Sequence, residues 1–187
     1  MKTLETERLI LRGWQLNDLH DFFEYAKNPN VGPHAGWEPH KNKAMSLDVL
    51  KSFIEQDDIW AIVCKETQKT IGSIGLHKDQ KREGVNGKML GYAMSEAYWG
   101  KGLMTEAAQC VLWHAFTEMG LELVSVFHYP FNGRSKRVIE KCGFQYEGTL
   151  RMGSKLYDGT IYDNVCYSLL RDEFFRKAID DAVTRAD

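Results

Sequence analysis

Residues 98–107 read YWGKGLMTEA. Two glycines, Gly100 and Gly102, bracket Lys101 between an aromatic pair and a helical run. From Leu103 onward, Leu103, Ala107, Ala108, Val111, Leu112, Ala115, Phe116 and Met119 share one stripe, and Gly120 closes the helix. Just upstream, KMLGYAMS (88–95) is apolar and strand-like. The order is therefore strand, glycine-rich turn, helix N-terminus. The first amides of a helix have no internal partner, and the dipole places partial positive charge there. Glycines let the backbone approach an anion closely and take left-handed torsions. The turn reads as a helix end opened to a diphosphate, with Lys101 either adding charge or pointing to water.

The common phosphate signatures do not fit. No Lys-Ser or Lys-Thr follows the glycines, which a P-loop needs. Thr105 stands where a dinucleotide fingerprint needs its third glycine, and His128 stands where it needs an acid. An ordinary loop remains the competing reading of the glycines alone.

Working outward, the apolar runs RLILRGW (8–14), IWAIVCK (59–65), TIGSIGLH (70–77), 88–95, LVSVFH (123–128), 144–152 and 160–169 predict about seven strands. Helices are predicted from Asn17 to about Lys27, from Ser46 onward, over 103–119, and from Asn132 to Gly143. The stretch NPNVGPHAGWEPHKNK (28–43) holds three of the four prolines, which excludes a regular helix or central strand there. Short polar connections make the middle strands antiparallel, whereas the crossover through 103–119 makes its flanking strands parallel. This predicts an α/β (mixed α+β) class, with helices on both faces of a mixed sheet, in a single domain over 1–187.

A net charge of −2 argues against nucleic acid as a direct partner. The opening MKTLETERLILRGW is too short and charged in its apolar part for a signal peptide, and no run approaches a membrane span. Cys64, Cys110, Cys142 and Cys166 are scattered, with no C-x-x-C pair, so buried thiols and a cytoplasmic setting are expected. His34, Glu38 and His40 share a loop, but their spacing fits no standard metal pattern, and no metal is expected.

A second stretch, NGRSKRVIEKCGF (132–144), begins directly after a strand. With it, the chain resembles the GNAT superfamily of acyl-CoA N-acetyltransferases. The likeness is strongest to the RimJ/RimL branch, which acetylates N-terminal amines of ribosomal proteins. The family's [QR]-x-x-G-x-[GA] pattern matches AYWGKG (97–102), and its N-x-x-S…E-K-x-G-F segment matches Asn132, Ser135, Glu140, Lys141, Gly143 and Phe144. TERLILR (6–12), LGY (90–92), Arg151 and GTIYD (159–163) also resemble that branch. Ala97 departs from the usual Gln or Arg, at a loop that works mainly through backbone amides.

The resemblance implies the GNAT fold, mostly antiparallel, with the fourth and fifth strands (88–95 and 123–128) splayed around acetyl-CoA as co-substrate. The backbone of Ala93, Met94 and Ser95 would bind the pantetheine arm and acetyl carbonyl, with an N–H near Met94 as oxyanion donor. Trp99, Gly100, Lys101, Gly102, Leu103, Met104 and Thr105 would cradle the pyrophosphate. Asn132 would bond the pantetheine amide, and Ser135 would protonate the leaving thiolate. Lys136 and Arg137 either reach phosphates or face solvent. His34, Trp37, Glu38 and Tyr92 would meet the acceptor, with Pro39 and His40 beside them; Trp37 reads equally well as a hydrophobic plug. The strands near Tyr157–Asp163 would close the far side. The amine needs a general base, and Glu83, Tyr92, Glu96, His77 and His128 stand as equals.

The implied function is transfer of acetyl to a primary amine, possible acceptors being a protein N-terminus, a polyamine, an amino acid or an aminoglycoside. A non-catalytic acyl-CoA-binding module is the alternative, and a nucleotide-dependent dehydrogenase is disfavoured by the missing third glycine. A monomer or a homodimer is expected.

Overall fold

A computed structural model of the chain describes residues 1–184. Eight strands form one sheet: β1 (Leu4–Glu5), β2 (Leu9–Arg12), β3 (Ile59–Cys64), β4 (Thr70–Lys78), β5 (Gly87–Met94), β6 (Leu123–His128), β7 (Gln145–Lys155) and β8 (Ile161–Leu170). Their spatial order is β1-β2-β3-β4-β5-β6-β8-β7. Every neighbouring pair is antiparallel except β5–β6. The mixed, mostly antiparallel sheet expected from the sequence is thus present, with the two-residue β1 as an addition.

The helices are α1 (Leu19–Ala26), α2 (Gly32–Ala35), α3 (Lys43–Gln56), α4 (Leu103–Thr117), α5 (Gly133–Cys142) and α6 (Arg171–Thr184). Gly143 (φ +91°) ends α5 as predicted, and Asn132 caps it. Three local expectations are corrected. A 3-10 turn over Leu16–Asp18 precedes α1, displacing Asn17 as its cap. Asn42, not Ser46, caps α3, accepting the Met45 amide at 2.9 Å, while Ser46 is buried against His40. Residues 32–35 form one helical turn, because Pro33 stands in its first turn, where a missing N–H costs nothing. The terminal helix α6 was not foreseen; Phe174 packs 5.2 Å from Phe116 and 6.2 Å from the exposed Trp113.

Helices cover both faces. On one, Val111, Leu112 and Phe116 of α4 and Ile139 of α5 pack against Ile62, Ile74, Val124 and Leu169. On the other, Phe22 of α1 and Leu50 of α3 meet Trp14, whose ring lies 5.2 Å from Phe22. Each such buried side chain contributes roughly 1.5–3 kcal/mol. The key irregularity is between β5 and β6. Only Gly87–Met89 pair with Leu123–Ser125, and beyond them the strands diverge.

A polar clamp holds the closed end of that V. Arg82 bridges Asp79 at 2.7 Å and Glu147 at 2.6 Å, Ser125 donates to Asp79 at 2.7 Å, and Ser168 donates to Glu147 at 2.8 Å. The turn after β4 is thereby tied to β6, β7 and β8. Asp79→Ala removes one of the two carboxylates on a mostly buried guanidinium and leaves Ser125 without its acceptor, so we expect a stability loss of about 2 kcal/mol in urea unfolding. Burial pushes the Asp79 carboxyl up, but Ser125, the Lys81 amide and Arg82 outweigh it and hold it below its ordinary 3.8. Its contribution is complete above that value and is lost as pH falls through the lower native one. Acid titration of stability in Asp79→Asn should lack this component.

Candidate active site

β5 builds the site through its backbone. The Ser95 N–H donates to the Ile71 carbonyl at 2.8 Å, so at positions 91, 93 and 95 the polar groups face β4. The groups of Leu90, Tyr92 and Met94 alternate to the open edge, where β6 has diverged. The Met94 carbonyl accepts from Trp99 Nε1 at 2.7 Å, leaving its N–H directed into the cleft. Ala93 and Met94 line that cleft, which has a volume of about 290 Å³; Ser95 does not, and its amide is spent in the sheet.

Gly100 and Gly102 both have φ +76°, and Gly102 is the N-cap of α4, so no side chain covers the first-turn amides of Leu103, Met104 and Thr105. Those residues, with Trp99 and both glycines, line the cleft. Lys101 does not; its ammonium lies 5.1 Å over the Tyr98 ring. The lining charge comes from α5 instead, through Arg134, Arg137 and Lys141. Arg134 stacks 4.0 Å over Trp99. Lys136 is turned away, 3.7 Å from Glu140. Arg8 stabilises the turn from outside: it donates to the Lys101 carbonyl at 3.0 Å and to Glu106 at 2.7 Å. Glu106 also accepts from Thr6 and the Arg8 amide, so the sequence TER (6–8) is a clamp on the glycine turn.

Ser135 Oγ lies 2.8 Å from the Tyr92 hydroxyl, and both line the cleft. Burial pushes the Tyr92 phenol well above its ordinary value, the Ser135 bond opposing this only in part. Tyr92 therefore keeps its proton and is a donor, which removes it from the bases. Asn132 accepts the Ser135 amide at 3.1 Å and donates to the His34 carbonyl at 3.0 Å, joining α5 to the 28–43 segment. One amide hydrogen and one lone pair remain for a ligand. His34 lines the cleft with Nε2 3.3 Å from Arg134. Burial and Arg134 pull its pKa down, so the ring is neutral at neutral pH.

Other expected contacts lie elsewhere. Trp37 is half-buried against the α1–α3 cluster and packs on Gly32, outside the cleft, as a plug. Glu38 pairs with Lys41 at 2.9 Å. Among the bases, Glu96 accepts from Asn28 and Asn30, pinning the 28–43 segment. His128 is buried, with Nδ1 2.8 Å from the Tyr129 carbonyl. Glu83 lies exposed in the turn between β4 and β5. Arg134, Tyr98, Val31 and Ala35 are cleft residues that the sequence reading missed; Arg134 sits between Asn132 and Ser135, so its helix position was the available signal.

The divergent strands, the open helix N-terminus and the basic rim define a site for an extended ligand bearing phosphates. Residues 8–145 match the acetyltransferase (GNAT) domain family, and the chain belongs to that family. An uncharacterized N-acetyltransferase, p20, of Bacillus licheniformis is 32% identical over 93% of this chain and 99% of its own length. The [ribosomal protein uS5]-alanine N-acetyltransferase of Escherichia coli strain K12 is 25% identical over 89% of each chain. A crystal structure of a GNAT-family acetyltransferase from Bacillus anthracis superposes with a TM-score of 0.82 at 23% identity, covering 91% of this chain and 99% of that one. The chain is an N-acetyltransferase, and acetyl-CoA is the donor its family uses.

The cleft fits that donor chemically: free amides and arginines for phosphates, an open strand edge for an amide-bearing arm, and hydroxyls at Ser135 and Tyr92 for a thiol. Among the described residues no group of three or more His, Cys, Asp or Glu is placed to hold a metal, and no helix is long and apolar enough to cross a membrane.

Proposed function

We propose that the chain moves acetyl directly from acetyl-CoA to a primary amine, the acceptor being the α-amine of a protein N-terminus. The observation that carries the transfer chemistry is the open edge of β5, where Met94 and the Ser135–Tyr92 hydroxyl pair line one cleft. The Met94 amide supplies a hydrogen bond where charge develops on the acetyl oxygen. Ser135, with Tyr92 behind it, supplies the proton to the departing sulfur. The amides of Leu103 to Thr105, with Arg134 and Arg137, hold the phosphates. Asn132 orients the arm. His34 stands at the acceptor side, where its neutral ring can accept a hydrogen bond or pack against the incoming group. Support for a protein terminus comes from the likeness to the uS5-alanine enzyme and to the RimJ/RimL branch. Four free cysteines agree with work in the cytoplasm.

The test is thiol release from acetyl-CoA against an amine panel: N-terminal peptides, including one starting with alanine, spermidine, amino acids and an aminoglycoside. Turnover on peptides alone is the expected result. Turnover on a small amine alone reassigns the acceptor. Silence, with acetyl-CoA bound by calorimetry, favours a non-catalytic acyl-CoA-binding module.

A further inference from the structure

The acceptor amine must lose a proton, and the cleft groups described above do not take one. Tyr92 holds its own, and His34 Nε2 is already turned to Arg134 at 3.3 Å. The opposite face of β5 offers another group. In the ladder, Leu76 pairs with Leu90, and both point into the α4–α5 core. By alternation His77, Met89 and Gly91 point to the other face. The His77 ring overlies Gly91: a Cβ built there would meet Nε2 at 3.0 Å and Cδ2 at 3.1 Å. Gly91 lies just past the last β5–β6 pair at Met89, so the ring overlies β5 level with the apex of the V, on the face away from the cleft-lining Tyr92.

Asp58 stands beside the ring. Its Oδ2 lies 3.5 Å from His77 Nδ1, and the side chain of His77 is 35% exposed, so solvent reaches it. The Asp58 carbonyl accepts the Leu76 amide at 3.2 Å, which fixes the carboxylate next to β4. The tautomer with its N–H at Nδ1, toward Asp58, leaves the Nε2 lone pair free. Met89, the register partner of His77, and Gly91, the partner of Gly75, bring no charge to this face, and Lys78 and Lys88 alternate to the opposite one. The proton donors Tyr92 and Ser135 and the imidazole thus lie on opposite faces of one strand, one residue apart.

We propose that His77, positioned by Asp58, is the general base for the acceptor amine, acting through Nε2 directly or through one water. This rests on the transferase reading above. The amine nitrogen forms the C–N bond, and its surplus proton passes to Nε2. The C–S electron pair leaves with sulfur, which takes a proton from Ser135 Oγ, and the half-exposed Ser135 regains one from solvent. His77 returns its proton to solvent, so one amine and one thioester give one amide and one thiol.

The test uses His77→Gln, Asp58→Asn and Gly91→Ala with acetyl-CoA and the fastest amine of the panel. Acetyl-CoA affinity by calorimetry should match wild type in all three, which also shows that they fold. At pH 7, kcat/KM for the amine should fall about 100-fold in His77→Gln. Gly91→Ala should fall in the same direction, because its methyl displaces the ring without altering it. Asp58→Asn should lose less than His77→Gln. The deficits should narrow as pH rises toward 9.5, where hydroxide replaces the missing base; a merely structural histidine would show no such recovery. A His77→Gln rate within threefold of wild type, or a deficit constant with pH, overturns the assignment alone. A wild-type chain that binds acetyl-CoA yet acetylates no amine overturns the transferase reading, and the base falls with it.

Discussion

Gly102→Val should raise the KM for acetyl-CoA about 100-fold, with kcat changed only a few-fold. Gly102 has φ +76°, where a non-glycine residue costs roughly 1–2 kcal/mol and a β-branched one more. Its side chain would project toward the Arg8 guanidinium, 3.7 Å from the Cβ position, in the contact that holds the Lys101 carbonyl. The turn must rearrange, and the first-turn amides of α4 lose their aim. Losing one or two charge-assisted amide bonds costs about 3 kcal/mol, which is a factor of about 100. Because the phosphates lie far from the reacting carbon, the loss falls on binding rather than on chemistry. Steady-state kinetics and calorimetry check it. Normal acetyl-CoA affinity in a folded variant would move the phosphates off this turn.

The second large effect is expected at the hydroxyl pair. Ser135→Ala should lower kcat about 100-fold with little change in KM, because the proton is needed only as the sulfur leaves. Tyr92→Phe should lower kcat in the same direction. The tyrosine is half-buried and keeps its proton, so across the 2.8 Å contact it acts on Ser135 as a hydrogen-bonding partner. If the two act as one relay, the double variant should be scarcely worse than Ser135→Ala alone. Additive losses would mean two separate roles. Unchanged kcat in both single variants would return the pair to packing, with Ser135 merely part of the α5 N-terminus.

Much of the fold was legible because its signals are local. Alternating apolar runs, polar turns and one long amphipathic helix carry the antiparallel and parallel relations without any distant contact. The failures were local competitions that propensity does not decide. Asn42 and Ser46 are both good caps, and only the burial of Ser46 against His40 separates them. Residues 32–35 fold into a turn because Pro33 falls where its missing N–H is harmless, a matter of register that proline content alone does not reveal. The amphipathic run after Leu170 lacked a strong capping signal, and its docking depends on Trp113 and Phe116, more than fifty residues away.

The sequence by itself determined the glycine turn, the start of α4 and both ends of α5, since each rests on the torsions and caps of a few adjacent residues. It also carried the family resemblance. Only the tertiary structure decided which charges face the cleft, that Lys101 turns away while Arg134 and Arg137 turn in, and that Trp37 packs outside it against the α1–α3 cluster. It alone joined Thr6 and Arg8 to Glu106, Tyr92 to Ser135, and His77 to Asp58 and Gly91. The reason is physical: a side chain's role at this site depends on which face of a strand or helix it occupies and on what stands across from it. That is set by strand pairing between segments far apart in the chain.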